Sequence, residues 1–156
     1  MNLDETDKKI LATIQTGIPL VSNPFFVIGG MLGISEEDVI RRLKKLKWDG
    51  ALRRVGATLN KSELGKEGTL VAMKVPEEKI DSVAEIINSY DEVTHNYVRS
   101  SVDGKVDFNL WFTITGTKER ILQVIEEIKE KVDEDYPLLN LPANKTFKIG
   151  VKFDIR

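Results

Sequence analysis

Apolar side chains alternate strictly with other side chains over residues 106–115, and this segment limits the possible folds more than any other. The alternating apolar residues are Val106, Phe108, Leu110, Phe112 and Ile114. A period of two is typical of a β-strand with one face against a hydrophobic core and the other face exposed. The exposed face then receives Asn109, Trp111 and Thr113, which bring an amide, an indole and a hydroxyl group.

The elements around this segment follow the order β-α-β-β-α-β. The sequence predicts strands at 69–75, 93–99, 106–115 and 146–155 and helices at 76–90 and 117–132. In the last strand, the residues expected to meet the helices are Phe147, Ile149, Val151, Phe153 and Ile155. This order is that of a ferredoxin-like domain, whose two helices cover one face of the sheet. The opposite face is left bare.

Residues 1–60 show the pattern of a winged helix-turn-helix domain, which precedes the ferredoxin-like domain at 61–156 in an α+β chain. Asp4 and Ser35 are suited to cap a first and a third helix, because a short polar side chain accepts from the free N–H groups of a first turn. Between them, an apolar segment with a Gly-Gly pair predicts a short second helix. A strand predicted at 51–58 forms the wing.

The second predicted strand contains the only histidine of the chain, His95, with Tyr97 and Arg99 on the same side. If that side faces away from the helices, the bare face collects one set of side chains: His95, Tyr97, Arg99, Asn109, Trp111 and Lys148. Strict alternation also puts Val93 on this side, so the register of the strand stays open. A face with exposed aromatic rings is expected to be covered by a partner sheet, which leaves a polar-lined cleft.

Composition excludes several classes of site. The chain has no cysteine and one histidine, so disulfides, thiol nucleophiles and a zinc or iron–sulfur site held by the protein are not expected. No run of about 18 apolar residues and no charged-then-apolar leader is present, so the cytoplasm is the expected compartment and no membrane span is predicted. The net charge of −2 argues against a surface that attracts nucleic acid throughout.

The order of the two domains resembles that of the Lrp/AsnC transcription regulators. Four segments resemble, more narrowly, the siroheme decarboxylases: residues 52–57 (LRRVGA), 93–99 (VTHNYVR), 108–113 (FNLWFT) and 141–149 (LPANKTFKI). The Thr-His-Asn-Tyr and Asn-Leu-Trp-Phe-Thr versions are similar to the first, A-type, subunit of these enzymes. The chain departs from the compact form of the pattern by a longer turn at 100–105 and by Phe108 where the pattern has Tyr.

The resemblance implies a carboxy-lyase that converts two acetate side chains of siroheme to methyl groups, giving didecarboxysiroheme in the alternative haem or haem d1 pathway. No cofactor is expected beyond the substrate siroheme, because the macrocycle itself can delocalise the electrons left by the departing carbon dioxide. His95 is the expected proton donor, and ligation of the siroheme iron is its alternative role. The catalytic set is completed by Tyr97 and Arg99. The residues expected to bind substrate are Arg53, Arg54, Asn96, Asn109, Trp111, Lys145 and Lys148.

Partners and alternative functions follow from the same resemblance. A heterodimer with a second, B-type, subunit is expected, and a homodimer is the alternative. DNA binding is not expected, but an Lrp/AsnC-type transcriptional regulator is the rival function, because the third helix has basic residues for phosphate contacts. A basic helix end is also ordinary compensation of the helix macrodipole. A tetrapyrrole sensor without turnover is a third possibility.

Overall fold

Residues 2–100, 108–132, 135–145, 150 and 152–155 are described in the computed structural model. The chain forms two units, one of residues 1–58 with 148–156 and one of residues 59–147. The predicted division after residue 60 stays a prediction, and the described residues 150 and 152–155 group with the first unit. Both polar atoms of the Gln15 side chain bond to the backbone of Phe153, at 2.7 Å to its N–H and 3.2 Å to its carbonyl oxygen.

The first unit contains the three predicted helices, with bounds α1 Glu5–Ile14, α2 Pro24–Leu32 and α3 Glu36–Trp48. The predicted caps are confirmed. Asp4 Oδ1 accepts from the Asp7 N–H at 2.7 Å, and Ser35 Oγ accepts from the Asp38 N–H at 3.2 Å. The helices pack around a small core of buried side chains: Ile10, Ile28, Val39 and Leu43.

The predicted wing strand at 51–58 is wrong. Residues 52–60 form neither helix nor strand, and every side chain from Arg53 to Asn60 is exposed. Leu52 is anchored, because its N–H donates to the Leu46 carbonyl at 3.0 Å and its side chain packs on the core of the first unit. A strand needs a pairing partner. Among the described residues, none pairs with this segment.

Arg42 joins the ends of α1 and α3. Its guanidinium bonds to Asp4 at 2.6 Å, to the buried Asp7 at 2.7 Å and to Asp38 at 3.0 Å. Hydrogen bonds from Arg42 hold the pKa of the Asp4 and Asp38 carboxyls below their usual range. Their contribution to stability is therefore complete above the unfolded value of about 4 and is lost as the pH falls through the lowered pKa values.

The second unit is built on a four-stranded antiparallel sheet with the order β2-β3-β1-β4. The strands are β1 Glu67–Met73, β2 Val93–Val98, β3 Leu110–Gly116 and β4 Leu138–Pro142. The helices are α4 Ile80–Asn88, after a 3₁₀ turn at Glu77–Lys79, and α5 Lys118–Val132. This strand order is that of a ferredoxin-like domain, so the predicted fold class is confirmed.

Both helices cover one face of this sheet, as predicted. Along β3, Leu110, Phe112 and Ile114 are buried, whereas Trp111 and Thr113 are only half-buried. The buried set packs with side chains of β1, α4 and α5 in one core, which includes Val71, Met73, Val83, Ile87, Val124, Ile125 and Ile128. The alternation seen in the sequence therefore separates a core face from an open face.

The fourth strand lies earlier in the chain than predicted. Leu138–Pro142 pairs with β1, and its Asn140 side chain accepts a hydrogen bond from the Thr69 hydroxyl. Of the predicted strand at 146–155, residues 150 and 152–155 are not in a strand, and the others lie outside the described residues. Phe153, expected in the core, is 70% exposed. No helix in the described part of the chain is long and apolar enough to cross a membrane.

Gly29 and Gly30 allow a direct test of the packing between α2 and α3. A Cβ atom on Gly29 would lie 2.6 Å from the Ile34 carbonyl oxygen, whereas a Cβ on Gly30 would have no neighbour within 4 Å. Gly29→Ala should destabilise the protein by about 1–3 kcal/mol through this clash. Gly30→Ala should stabilise it by about 0.5–1 kcal/mol, because alanine favours a helix interior. Chemical denaturation measures both, and equal effects would contradict the close approach.

Candidate functional site

The open face of the sheet carries two rows of side chains that cross all four strands. The pairing register puts one row at Tyr97, Trp111, Ala72 and Leu139, and the next row at His95, Thr113, Leu70 and Leu141. Directly opposed residues of antiparallel strands lie on the same face. The β2–β3 half of the face is thus aromatic and polar, and the β1–β4 half is aliphatic.

A β-bulge in β2 places His95 and Tyr97 on the open face. Val93 pairs with Ile114, and the register then shifts so that His95 pairs with Thr113. The extra residue, Thr94, lets Val93 pack against the core while His95 faces the other way. The bulge resolves the conflict with Val93 that strict alternation left open in the sequence.

The His95 ring is oriented by two neighbouring groups. It lies against the Tyr97 ring, with 6.1 Å between the ring centroids and 28° between their planes. Its Nδ1 lies 3.1 Å from Thr94 Oγ1, and this hydroxyl donates to the Thr113 carbonyl oxygen at 3.5 Å. The Thr94 oxygen is then left to accept from Nδ1–H. Nε2 is the ring nitrogen that remains for a ligand.

Arg99 and Trp111 form the second pair on this face. The guanidinium carbon of Arg99 lies 5.7 Å from the centroid of the Trp111 ring, within the range of a cation–π contact. The indole N–H donates to the Phe108 carbonyl at 2.9 Å, and this hydrogen bond fixes the orientation of the ring. Arg99 is exposed and Trp111 is half-buried. A flat aromatic surface and a fixed cation thus lie near the exposed imidazole.

Two predicted binding residues do not offer their side chains to this face. Asn96 pairs with the buried Phe112 on the helix side, where its Nδ2 donates to Asn88 Oδ1 at 3.0 Å. Asn109 uses both ends of its amide on Val75, since Oδ1 accepts from its N–H at 2.9 Å and Nδ2 donates to its carbonyl at 2.6 Å. Both asparagines act within the fold in this structure.

The remaining predicted cations belong to other segments of the chain. Arg53 and Arg54 are exposed and belong to the first unit, and Lys145 is exposed in the segment after β4. Lys148 lies outside the described residues. His95, Tyr97, Arg99 and Trp111 are therefore the predicted residues that the second unit brings together on one face, and the functional roles assigned to them stay predictions.

Three leucines of the open face were missed in the sequence. Leu70, Leu139 and Leu141 are 37%, 42% and 43% exposed, and they lie in the same two rows as the aromatic residues. Leu70 alternates with the buried Thr69 and Val71, so the periodicity of β1 could have identified it. The leucines of β4 could not be identified, because the fourth strand was predicted in the wrong segment.

A cavity of about 360 Å³ lies where β1 ends and β3 begins. Its lining residues are Lys74, Val75, Pro76, Asn109, Tyr136 and Pro137. Asn109 is the predicted site residue among them, and its amide is already bonded to Val75. The cavity is therefore a less suitable place for a polar ligand than the open face.

Comparison with known proteins assigns both units to families. Residues 7–53 match the family described as siroheme decarboxylase NirDL-like HTH domain, and residues 63–148 match the AsnC-like ligand binding domain. The siroheme decarboxylase alpha subunit of Oleidesulfovibrio alaskensis is 42% identical over 152 residues, which cover 97% of this chain and 88% of that protein. The NirD subunit of Pseudomonas aeruginosa is 37% identical, over 98% of this chain and 97% of that one.

Solved structures agree with this assignment. The crystal structure of the siroheme decarboxylase NirDL matches with a TM-score of 0.66 and 35% identity, over 86% of this chain and 43% of that chain. The structure of Escherichia coli AsnC matches with a TM-score of 0.76 and 16% identity, over 97% of each chain. The second likeness is one of fold alone, because its sequence identity is low.

The contact between His95 Nδ1 and Thr94 Oγ1 predicts the tautomer of the His95 ring, because this oxygen accepts from Nδ1–H when the hydroxyl donates to Thr113. In alkaline buffer, where imidazole is neutral, the proton should sit on Nδ1 in the wild type and shift toward Nε2 in Thr94→Val. Valine keeps the branched shape of threonine and removes only the hydroxyl. Because the chain has one histidine, ¹⁵N NMR of its ring reads the tautomer without overlap. Thr113→Val is the matched control, since the acceptor there is a backbone carbonyl, and an identical shift in both variants would contradict the assignment.

Proposed function

Because the chain belongs to the family of siroheme decarboxylase subunits, we propose that it acts in a carboxy-lyase that converts two acetate side chains of siroheme to methyl groups. The observation that carries the proposal is the open face of the second unit. There an exposed imidazole, a phenol and an indole lie on two neighbouring strands, and a guanidinium belongs to the residue that follows β2. A flat polycarboxylate such as siroheme requires this combination of aromatic surface, cation and acid.

The proposed reaction needs one proton for each acetate group. The bond between the methylene carbon and the carboxylate carbon breaks, carbon dioxide leaves, and its electron pair stays on the methylene carbon. The macrocycle delocalises that pair until a proton forms the new C–H bond. Atoms and electrons balance without an oxidant or a reductant, so the protein has to bind the substrate, orient it and deliver the proton.

His95 is the proposed proton donor, through Nε2 of its imidazolium form, in which both ring nitrogens carry a proton. Its exposure allows contact with a ligand on the open face, and the bond from Nδ1 to Thr94 fixes the direction in which Nε2 points. The same nitrogen cannot ligate the siroheme iron and deliver a proton at the same time. Absorption spectra of the siroheme complex separate the two roles, because loss of an iron ligand changes them and loss of a distant donor does not.

Arg99, Tyr97 and Trp111 are the proposed binding groups on the same face. The two aromatic side chains can lie against the macrocycle, and the guanidinium can grip a carboxylate with two hydrogen bonds. Arg99 would hold a carboxylate that does not react, because a tight grip on the reacting one would stabilise the ground state. Arg53, Arg54, Lys145 and Lys148 remain proposed as further cations for the other carboxylates.

A second subunit of the same family is proposed to cover the open face. Support comes from the exposed leucines of its β1–β4 half, and from relatives that are named as subunits of one enzyme. Pseudomonas aeruginosa has both a NirD and a NirG subunit, and both are similar to this chain, at 37% and 29% identity. A B-type homologue is therefore the proposed partner, and a second copy of this chain is the alternative.

The regulator function is less supported than the enzyme. Three of the five basic residues of α3 are engaged within the first unit: Arg41 with Asp38, Arg42 with three carboxylates, and Lys45 with Asp49. Cations that are paired with neighbouring carboxylates provide less positive charge for contacts with DNA phosphates. The likeness to AsnC is one of fold, and fold alone does not carry DNA binding.

Replacement of His95 tests the proton donor. His95→Gln, which keeps a hydrogen-bonding side chain but cannot act as an acid, should slow single-turnover decarboxylation by about 100-fold or more. Product is followed by mass spectrometry and siroheme binding by absorption. Gln123→Ala, on the exposed surface of α5, is the control and should keep the wild-type rate. An unchanged rate in His95→Gln would remove this residue from the mechanism.

A matched pair of leucines tests the proposal that a second subunit covers the open face. Leu139 is 42% exposed on the open face, and Leu122 is 50% exposed on α5, on the other side of the sheet. Leu139→Glu should weaken association with the B-type subunit, or with a second copy of this chain, by about tenfold or more. Leu122→Glu should leave association unchanged. Sedimentation velocity of each chain alone and of the mixture measures this, and equal loss in both variants would contradict an interface on the open face.

A further inference from the structure

We propose that Asn109 is a positioning residue, which holds Arg99 and Trp111 in the arrangement that the open face presents to siroheme. This inference rests on the proposed function, in which Arg99 and Trp111 bind the substrate. It assigns Asn109 a different role from the direct contact that its polar side chain suggests in the sequence. Three sets of contacts carry it.

The side-chain amide of Asn109 forms two hydrogen bonds with the backbone of one residue, Val75, near the end of β1. Its Oδ1 accepts from the Val75 N–H at 2.9 Å, and its Nδ2 donates to the Val75 carbonyl at 2.6 Å. Val75 is buried and lies two residues beyond Met73, the last residue of β1. The amide thus continues the sheet pairing with its side chain at the point where β1 ends.

The backbone of Asn109 extends the same connection in both directions across the sheet. Its N–H donates to the Met73 carbonyl at 3.1 Å, and its carbonyl accepts from the Arg99 N–H at 2.7 Å. One residue therefore links the end of β1, the start of β3 and the residue that follows β2. The position of the Arg99 backbone depends directly on it.

The indole of Trp111 depends on the same point of the chain. Its Nε1–H donates to the carbonyl of Phe108, the residue immediately before Asn109. The Arg99 guanidinium lies over this ring at 5.7 Å. Both members of the cation–π pair are therefore held next to the hydrogen bonds between Asn109 and Val75. Loss of these hydrogen bonds should make both side chains more mobile.

A single-tryptophan background makes the positioning role measurable. The chain has two tryptophans, and Trp48 is 91% exposed on α3 of the first unit. Trp48→Phe therefore leaves Trp111 as the only indole emitter. In this background, Asn109→Ala should raise the acrylamide quenching of Trp111 and weaken siroheme binding by about tenfold or more. The decarboxylation rate at saturating siroheme should fall by less, because His95 is not anchored by Asn109.

Asn140→Ala is the matched control. Asn140 lies in the same sheet and accepts a side-chain hydrogen bond from Thr69, but it belongs to β4, at the opposite edge of the sheet from β2. This variant loses an asparagine contact of similar kind and should change neither Trp111 quenching nor siroheme affinity. A merely structural role of Asn109 predicts equal behaviour of the two variants, and that result would overturn the proposal.

Two further arms keep the outcome decisive. If Asn109→Ala does not fold, Asn109→Ser takes its place, because serine is polar and neutral but too short to bond both groups of Val75. Wild-type quenching and affinity in that folded variant would overturn the proposal. If the wild type itself converts no siroheme, the proposed function fails. The quenching of Trp111 in the variants still decides whether Asn109 positions it.

Discussion

Burial of one face of the sheet beneath α4 and α5 is the constraint on which the rest of the second unit depends. Phe112 is fully buried in the middle of β3, and burial of such a side chain contributes about 1.5–3 kcal/mol. With Leu110, Phe112 and Ile114 held in the core, Trp111 and Thr113 must face the other way. The bulge at Thr94 then matches β2 to the same division. The candidate site is the side of the sheet that the core does not use.

The candidate site is a surface rather than a pocket, and its parts are supported from within the fold. Thr94 orients His95, the Phe108 carbonyl holds the indole of Trp111, and Asn109 ties the neighbouring strand ends together. Asn109, whose polar side chain suggests a ligand contact in the sequence, is used for this support. The groups left exposed are those that suit a flat, negatively charged substrate. Relatives of the chain are named as subunits of siroheme decarboxylase.

The first unit has the three helices of a helix-turn-helix domain, and several cations of α3 pair with neighbouring carboxylates. Arg42 lies on α3, where such domains carry cations toward DNA, yet it bonds to carboxylates at the starts of α1 and α3. The ion pairs stabilise the packing of these helices against each other. Residues 7–53 of this unit match the siroheme decarboxylase NirDL-like HTH domain, and not a regulator family.

Local patterns in the sequence were sufficient for the helices, for their caps at Asp4 and Ser35, and for the two faces of β3. Each of these depends on residues within a few positions of one another. The wing, the fourth strand and the hydrogen-bond partners of Asn96 and Asn109 were decided only by the tertiary structure. A strand forms where another strand can pair with it, as Leu138–Pro142 does with β1, and no local period reveals that choice. The placement of His95 depended on both. Alternation in the sequence predicted that His95 faces away from the helices, but only the β-bulge in the structure lets Val93 pack against the core at the same time.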